Sequence, residues 1–168
     1  MIAEPLTTDR LRLEPLTVAH AAAMVDVLAS DSLYEFTGGA APTLDELSAR
    51  YARQSVGRSA DGAETWLNWV VGLGSDGPLV GYVQATVVGT EASLAWVVAP
   101  AHQGLGLATE AASAMADWLV SAGATRLVAL IHPDHTASAA IAGRLGLQRT
   151  TEVEDGEVRW VRDTRPAQ

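Results

Sequence analysis

Two glycines stand directly before a run of residues with helical character, in the segment APAHQGLGLATEAA at positions 99–112. The helix is predicted to begin at Leu107, so Gly104 and Gly106 lie where unpaired N–H groups and the positive end of the helix dipole are exposed. Because glycine has no Cβ, a phosphate can approach the backbone closely there. The alternative is a tight strand-to-helix connection that needs a positive φ, and the glycines alone do not separate the two.

Other motifs that place glycines beside a phosphate or a nucleophile fit this sequence poorly. The 11 basic residues are all arginine, so a P-loop Gly-Lys-Ser/Thr cannot form, and no G-x-S-x-G is present for a hydrolase elbow. A dinucleotide-binding G-x-G-x-x-G/A would need glycine or alanine where Thr109 stands and would follow the first parallel strand. Asp134 could imitate the ribose-binding acid of that motif, so it remains an alternative.

The segment resembles a motif of a known family. WVVAPAHQGLGLATEAA is similar to motif A of the GNAT acyl-CoA-dependent N-acetyltransferases, Q/R-x-x-G-x-G/A, with Gln103, Gly106 and Ala108 at its fixed positions. ATEA resembles the RimJ/RimL-like branch, which acetylates ribosomal-protein N-termini and many unrelated amines. HPDHTASAAIAGRLGL resembles the H-P-x-N-x-x-S helix of the same branch, and the resemblance runs from about Thr8 to Val161.

The resemblance implies a binding site for acetyl-CoA. Backbone groups of the strand would pair with the pantetheine arm, amides of the glycine turn would hold the pyrophosphate, and the start of the following helix would lie beside the thioester. The cofactor-binding residues implied are Trp96, Val97, Val98, Gln103, Gly104, Leu105, Gly106, Leu107, Ala108, Thr109, His135 and Ser138.

The resemblance also implies catalytic roles, with two departures from the family pattern. The Val98 N–H would stabilise the oxyanion, and Ser138 would act as general acid, although a serine near a helix start is ordinarily an N-cap or a cofactor ligand. Many members place an acid-donating tyrosine where Ala142 stands here. The asparagine position is His135, which could relay protons or simply contact the cofactor.

The general base is the least defined part of this site. Members of this branch often carry a glutamate on the fourth strand, about three residues before the position of Trp96, and here that position is Ser93. Glu91 lies two residues earlier and points to the same side of the strand, so it could act through a water. The alternative for Glu91 is a solvated carboxylate in a turn.

Three aromatic residues are candidates for binding the acceptor. Tyr34 and Phe36 lie in the loop after the first predicted helix, which flanks the acceptor site in the family, and Tyr82 lies on a strand where it could line a pocket or belong to the core. Asp31 and Glu35 could attract a cationic amine or could be solvated loop charges.

The elements that would position these residues follow the order β-α-α-β-β-β-α-β-α-β-β. Alternation, helical spacing and turn residues predict an α/β domain with about seven strands and about four helices. Short links make most of the sheet antiparallel, and one β-α-β crossover makes it mixed. By resemblance, the fourth strand, which ends at Val98, would splay from the fifth. We expect one domain over 1–168, with its core at about 8–161.

Composition narrows the classes of protein further. The net charge of −9 argues against nucleic acid and anionic membranes as partners, and it mildly favours a cationic substrate. No cysteine is present, so a thiolate nucleophile is excluded, and no metal-binding pattern stands out. No signal sequence or membrane span is evident, so we expect a cytoplasmic protein, with a homodimer possible by family habit.

These observations predict an N-acetyltransferase that moves an acetyl group from acetyl-CoA to a primary amine by direct attack in a ternary complex. The acceptor could be a small molecule or a peptide, and succinyl-CoA could replace acetyl-CoA. A catalytically idle acyl-CoA-binding module and a dinucleotide-binding oxidoreductase are the alternatives.

Overall fold

Eight strands form one sheet in the computed structural model of the chain, which describes residues 1–164. The last four residues of the predicted domain lie outside this range. The strands are β1 Leu6–Thr7, β2 Leu11–Pro15, β3 Thr65–Leu73, β4 Leu79–Val88, β5 Glu91–Val98, β6 Arg126–Ile131, β7 Gln148–Glu154 and β8 Glu157–Asp163. Their spatial order is β1-β2-β3-β4-β5-β6-β8-β7, and all neighbours are antiparallel except the β5–β6 pair.

Four α-helices connect these strands, and three short 3-10 turns accompany them. The helices are α1 Ala21–Val27, α2 Leu44–Gln54, α3 Leu107–Ser121 and α4 Thr136–Arg144, and the 3-10 turns are Val18–His20, Asp31–Tyr34 and Pro100–His102. Along the chain, α1 and α2 follow β2 and precede β3. α3 makes the parallel crossover from β5 to β6.

The predicted α/β fold with a mixed, mostly antiparallel sheet and four helices is confirmed. The sheet has eight strands rather than about seven, because a two-residue strand, β1, pairs with β2 ahead of the first predicted strand. The first predicted helix begins as a 3-10 turn, where the backbone N–H of Thr17 donates to Nδ1 of His20 at 3.0 Å. The imidazole of His20 thus accepts a hydrogen bond from the backbone N–H of Thr17, the residue that caps the turn.

The larger core lies between the sheet and α3. Strand alternation sends Leu67, Val83 and Leu94 to this face, where they pack against residues of α3 such as Ala111 and Met115. All of them are buried, so this layer contains most of the apolar surface that stabilises the fold.

A second, smaller core covers only part of the opposite face of the sheet. α1 and α2 pack Met24, Leu47 and Tyr51 over Val70 and the partly buried Tyr82. Beyond this cluster the same face is polar and partly exposed, and it carries Asn68, Gln84, Thr86 and Ser93 in adjacent register positions.

A gap opens between β5 and β6, the two parallel strands. They pair only from Glu91 to Ser93, opposite residues 126–128. β5 then continues to Val98 along β4, while β6 continues to Ile131 along β8. The splay expected between the fourth and fifth predicted strands is therefore present, and it leaves one edge of β5 unpaired.

Candidate active site

The unpaired edge of β5 presents backbone groups to the gap. The amide of Ala99 donates to the carbonyl of Val80 at 2.8 Å, so it points to β4. Because backbone groups of successive strand residues point in opposite directions, Val97 also faces β4, whereas Trp96 and Val98 face the side that β6 has left. An extended ligand in the gap could pair with Trp96 and Val98 as an added strand would.

The backbone of Val97, which the resemblance placed with Trp96 and Val98, therefore does not face the gap. It lies opposite Tyr82 in the β4–β5 ladder, and its amide and carbonyl are directed into that ladder. Strand alternation alone could have separated Val97 from its two neighbours, since residues that share an edge are spaced by two.

Gln103 closes the end of the gap through its side chain. Its Nε2 donates to the carbonyl of Val98 at 2.9 Å, while its backbone N–H donates to the carbonyl of Pro100 at 3.2 Å. The amide of Gln103 is thus engaged inside the preceding turn, and the side chain ties the turn to the end of β5.

The glycine turn has the left-handed backbone that one interpretation of its sequence requires, and its N–H groups lack the backbone partners that would exclude the other. Gly104 and Gly106 both have a φ of +78°, in the left-handed region that favours glycine. A Cβ at Gly104 would meet no heavy atom within 4 Å, so the backbone faces open space. Within residues 1–164, the N–H groups of positions 104–109 make no backbone hydrogen bond. These six amides, with the N-terminus of α3, are available to an anion.

Arg10 adds a positive charge beside this turn, which the sequence reasoning missed. Its Nη1 donates to the carbonyl of Leu105 at 2.8 Å, and its Nε donates to Glu110 at 2.7 Å. Its Nη2 lies 3.5 Å from the place where a Cβ on Gly106 would stand. Residues 99–109 contain no lysine or arginine. That absence was the one sign in the sequence that a cation for this turn comes from elsewhere in the chain.

His135 and Ser138 contact each other at the start of α4. The Oγ of Ser138 lies 3.1 Å from Nε2 of His135, and the backbone N–H of Ser138 donates to Nδ1 of His135 at 3.3 Å. Burial, followed by the charge of His132, lowers the pKa of His135. The imidazole is therefore neutral at pH 7 and can accept a proton.

Phe36 covers this pair from the loop between α1 and α2. Its ring stacks on His135 with a centroid separation of 4.5 Å and lies 5.3 Å from the ring of His132. The sequence nominated Phe36 and His135 for different roles, and the fold brings them into one contact.

Glu91, the predicted base, lies far from these groups. It begins β5, seven residues before Val98, which corresponds to about 23 Å at the usual rise of a strand. Its carboxylate also accepts a hydrogen bond from Nη2 of Arg159 at 2.8 Å. These positions disfavour a direct role for Glu91 on a group held at Val98.

Tyr34 and Tyr82 lie near a third tyrosine, Tyr51 of α2, which the sequence reasoning missed. The Tyr34 hydroxyl donates to the carbonyl of Leu28 at 2.7 Å. Burial raises the pKa of Tyr82, and it raises the pKa of Tyr51 to about 12. Both hydroxyls therefore remain protonated and able to donate near neutral pH.

Two features are absent from residues 1–164, the part of the chain that the structure describes. No helix there is long and apolar enough to cross a membrane. No group of three or more histidine, cysteine, aspartate or glutamate side chains there is arranged to hold a metal ion.

Known structures share this fold over nearly the whole chain. RimL, the ribosomal L7/L12 α-N-protein acetyltransferase solved with coenzyme A, superposes with a TM-score of 0.80 at 15% identity, covering 95% of this chain and 98% of its own. The microcin C7 self-immunity acetyltransferase MccE, solved with acetyl-CoA and AMP, gives 0.75 at 14% identity and 94% coverage of both chains. An acetyltransferase from Agrobacterium tumefaciens gives 0.73 at 25% identity, with 96% and 95% covered.

Two comparisons of the amino-acid sequence gave different results. No curated protein matches the chain in sequence. The family model described as the acetyltransferase (GNAT) domain matches residues 10–148, from β2 to the start of β7. The chain therefore belongs to the GNAT acetyltransferase family.

Proposed function

We propose that the protein transfers an acetyl group from acetyl-CoA to a primary amine. The observation that carries this proposal is the continuity between the unpaired edge of β5 and the free amides of the glycine turn. An extended pantetheine arm matches the first feature, and a pyrophosphate matches the second. Solved structures of this fold that contain coenzyme A or acetyl-CoA support the choice of ligand.

In the proposed complex the cofactor is bound mainly by backbone groups. Trp96 pairs with the pantetheine arm, the N–H of Val98 faces the thioester end because its carbonyl already accepts from Gln103, and the amides from Gly104 to Thr109 bind the pyrophosphate. Arg10, although paired with Glu110, adds a guanidinium donor, because its Nη2 is directed to the same turn. The glycines are needed twice, once for the left-handed turn and once for the close approach of the phosphate.

The proposed chemistry is one direct transfer within a ternary complex. The neutral amine nitrogen attacks the thioester carbonyl carbon, the oxyanion accepts a hydrogen bond from the Val98 N–H, and the C–S bond then breaks. Ser138 gives its hydroxyl proton to the leaving sulfur and is reprotonated by His135, which takes up the proton released by the amine. An alkylamine has a pKa near ~10.4, so this route must also remove its extra proton before attack.

A coupled assay tests the proposal. Acetyl-CoA is mixed with a panel of amines, small molecules and peptides, and the release of free thiol is followed together with the mass of the acetylated product. We expect acetylation of at least one amine and its loss in Gly106→Trp, where the side chain fills the space over the turn. Binding of acetyl-CoA without thiol release for any amine would instead identify an idle acyl-CoA-binding module.

A further inference from the structure

A small cavity lies between α2 and the second face of the sheet, apart from the gap and the glycine turn. Its volume is about 40 Å³, and six polar side chains contribute to its lining. Since a single water needs about 10–15 Å³, the cavity has room for a group of a few heavy atoms. The polar lining residues are Arg50, Tyr51, Gln54, Asn68, Tyr82 and Gln84.

The polar ends of these six side chains have no protein partner within residues 1–164. None of them takes part in a side-chain hydrogen bond or an ion pair in that range. Tyr51 is only 4% exposed as a residue and Arg50 is exposed, but the polar side-chain atoms of all six residues remain accessible to solvent, so they are free to bind a ligand that enters the cavity. The cavity therefore has the character of a binding site with unused donors.

The charge of the cavity selects the kind of group that fits. Arg50 is the only charged lining residue, and no carboxylate lines the cavity, although the whole chain carries a net charge of −9. The hydroxyls of Tyr51 and Tyr82 and the amides of Gln84 and Asn68 add neutral donors. An arginine with several neutral donors around a small cavity matches a carboxylate, which can accept two hydrogen bonds from a guanidinium.

The position of the cavity connects it to the reacting end of the gap. Gln84 lies opposite Ala95, and Tyr82 lies opposite Val97, so the lining residues neighbour the stretch of β5 that carries the backbone groups of Val98. The cavity therefore lies one strand away from the edge of β5 that faces the gap.

We propose that this cavity binds the carboxylate of the acceptor, so that the acceptor is an amino acid rather than a simple amine. The proposal rests on the proposed acetyl transfer for the role of the amine, but carboxylate binding itself does not require coenzyme A. Arg50 is the main contact, and Tyr51 and Tyr82 donate to the remaining lone pairs. The acceptor therefore carries a negative charge at one end. This differs from the purely cationic amine that the composition favoured.

The test compares matched compounds that differ only in the carboxylate. Leucine, leucinamide and isoamylamine, and separately 4-aminobutyrate and butylamine, are titrated by calorimetry into the protein with and without saturating coenzyme A. We expect one of the two carboxylates to bind at least tenfold more tightly than its matched amine. The two sets also distinguish an α-amino from an ω-amino acid.

Variants of α2 assign the effect to the cavity. Arg50→Gln should abolish the preference for the carboxylate, whereas Arg53→Gln, an exposed arginine of the same helix outside the cavity lining, should keep it. Equal affinities within each set, no binding of any compound, or the same loss in both variants would overturn the proposal. A parallel titration with acetyl-CoA shows separately whether the proposed transferase activity has failed.

Discussion

The Ser138 hydroxyl lies 3.1 Å from Nε2 of His135. Both residues follow the carboxyl end of β6, one of the two strands that border the gap. If this pair delivers the proton to the leaving thiolate, Ser138→Ala should lower kcat about a hundredfold, because general acid–base catalysis contributes about 10²–10⁴ in rate. The affinity for acetyl-CoA, measured by calorimetry, should change less than about threefold. Thr136→Ala, an exposed residue in the first turn of the same helix, is the control and should leave kcat unchanged. Equal rates for Ser138→Ala and the control would remove Ser138 from the mechanism.

His135 also makes the stability of the protein depend on pH. Its pKa is lowered by burial and then by the charge of His132, while Glu35 acts in the opposite direction and Glu157 faces His132. A histidine whose pKa falls on folding binds fewer protons in the folded state, so its stabilising effect is lost as the pH falls below about 6.5.

We therefore expect His135→Asn to flatten the loss of stability on acidification. Urea unfolding at about pH 7.5 and about pH 5 gives the free energy of unfolding at each pH, and the decrease should be smaller for the variant than for the unchanged protein. His20→Asn, a histidine beside Glu14 at the start of α1, serves as a control outside the site. An identical decrease in His135→Asn and in the unchanged protein would contradict the assignment.

At the residue scale the sequence located the turn and the start of α4 but not their partners. Gln103, Gly106 and Ser138 could be nominated because two motifs of fixed spacing carry them. Arg10 lies about a hundred residues earlier and shares no local pattern with the turn, so only the fold reveals their contact. Glu91 shows the reverse case, since it is close to Trp96 in sequence but an extended strand carries it far from Val98.

At the scale of the element, the glycine turn should show a cost in stability as well as in binding. Gly106→Ala forces a side chain into a φ of +78°, which costs about 1–2 kcal/mol. Gly143→Ala lies inside α4 with open space around the new Cβ, and alanine is favoured there by about 0.5–1 kcal/mol. Urea unfolding should therefore give shifts of opposite sign for the two variants. A stabilised Gly106→Ala would show that the turn does not need a left-handed residue.

Most elements could be predicted because their signals are local. The capping box of Thr43 and Glu46 forms as its spacing indicates, with the N–H of Glu46 donating to the Thr43 hydroxyl at 3.2 Å. The Asp155–Gly156 hairpin likewise has both residues at positive φ. β1 was not predicted, because a two-residue strand has no periodicity and exists only through its pairing with β2.

At the scale of the whole molecule, Trp69 joins three parts of the fold. It is fully buried on β3, its Nε1 donates to the carbonyl of Glu4 at 2.8 Å, and its ring contacts Trp118 of α3 edge to face at 5.5 Å. Trp69→Phe removes the hydrogen bond and part of the buried ring, so we expect a loss of about 2–3 kcal/mol in the free energy of unfolding. Trp66→Phe, on the opposite face and partly exposed, should lose less than about 1 kcal/mol. Comparable losses of unfolding free energy in the two variants would show that Trp69 has no special role in joining these parts.

The gap and the cavity are properties of the whole molecule. The family resemblance implied the gap, and the element order alone could not have shown that β5 and β6 stop pairing at Ser93. The cavity brings Arg50 and Tyr51 of α2 over Asn68 and Gln84 of the sheet, and no pattern in the sequence links these positions. Such contacts follow from tertiary packing, which local spacing does not encode.

Acetyl-CoA is expected to bind along β5 with its pyrophosphate on the glycine turn. Calorimetric titration of acetyl-CoA, with NAD and NADP as controls, tests it most directly in the unchanged protein and in Ala108→Glu. The added carboxylate lies in the first turn of α3, where it favours the helix but repels a phosphate. We expect micromolar binding of acetyl-CoA alone to the unchanged protein, and no binding to a fully folded Ala108→Glu. Absence of acetyl-CoA binding, or undiminished binding by Ala108→Glu, would contradict the account.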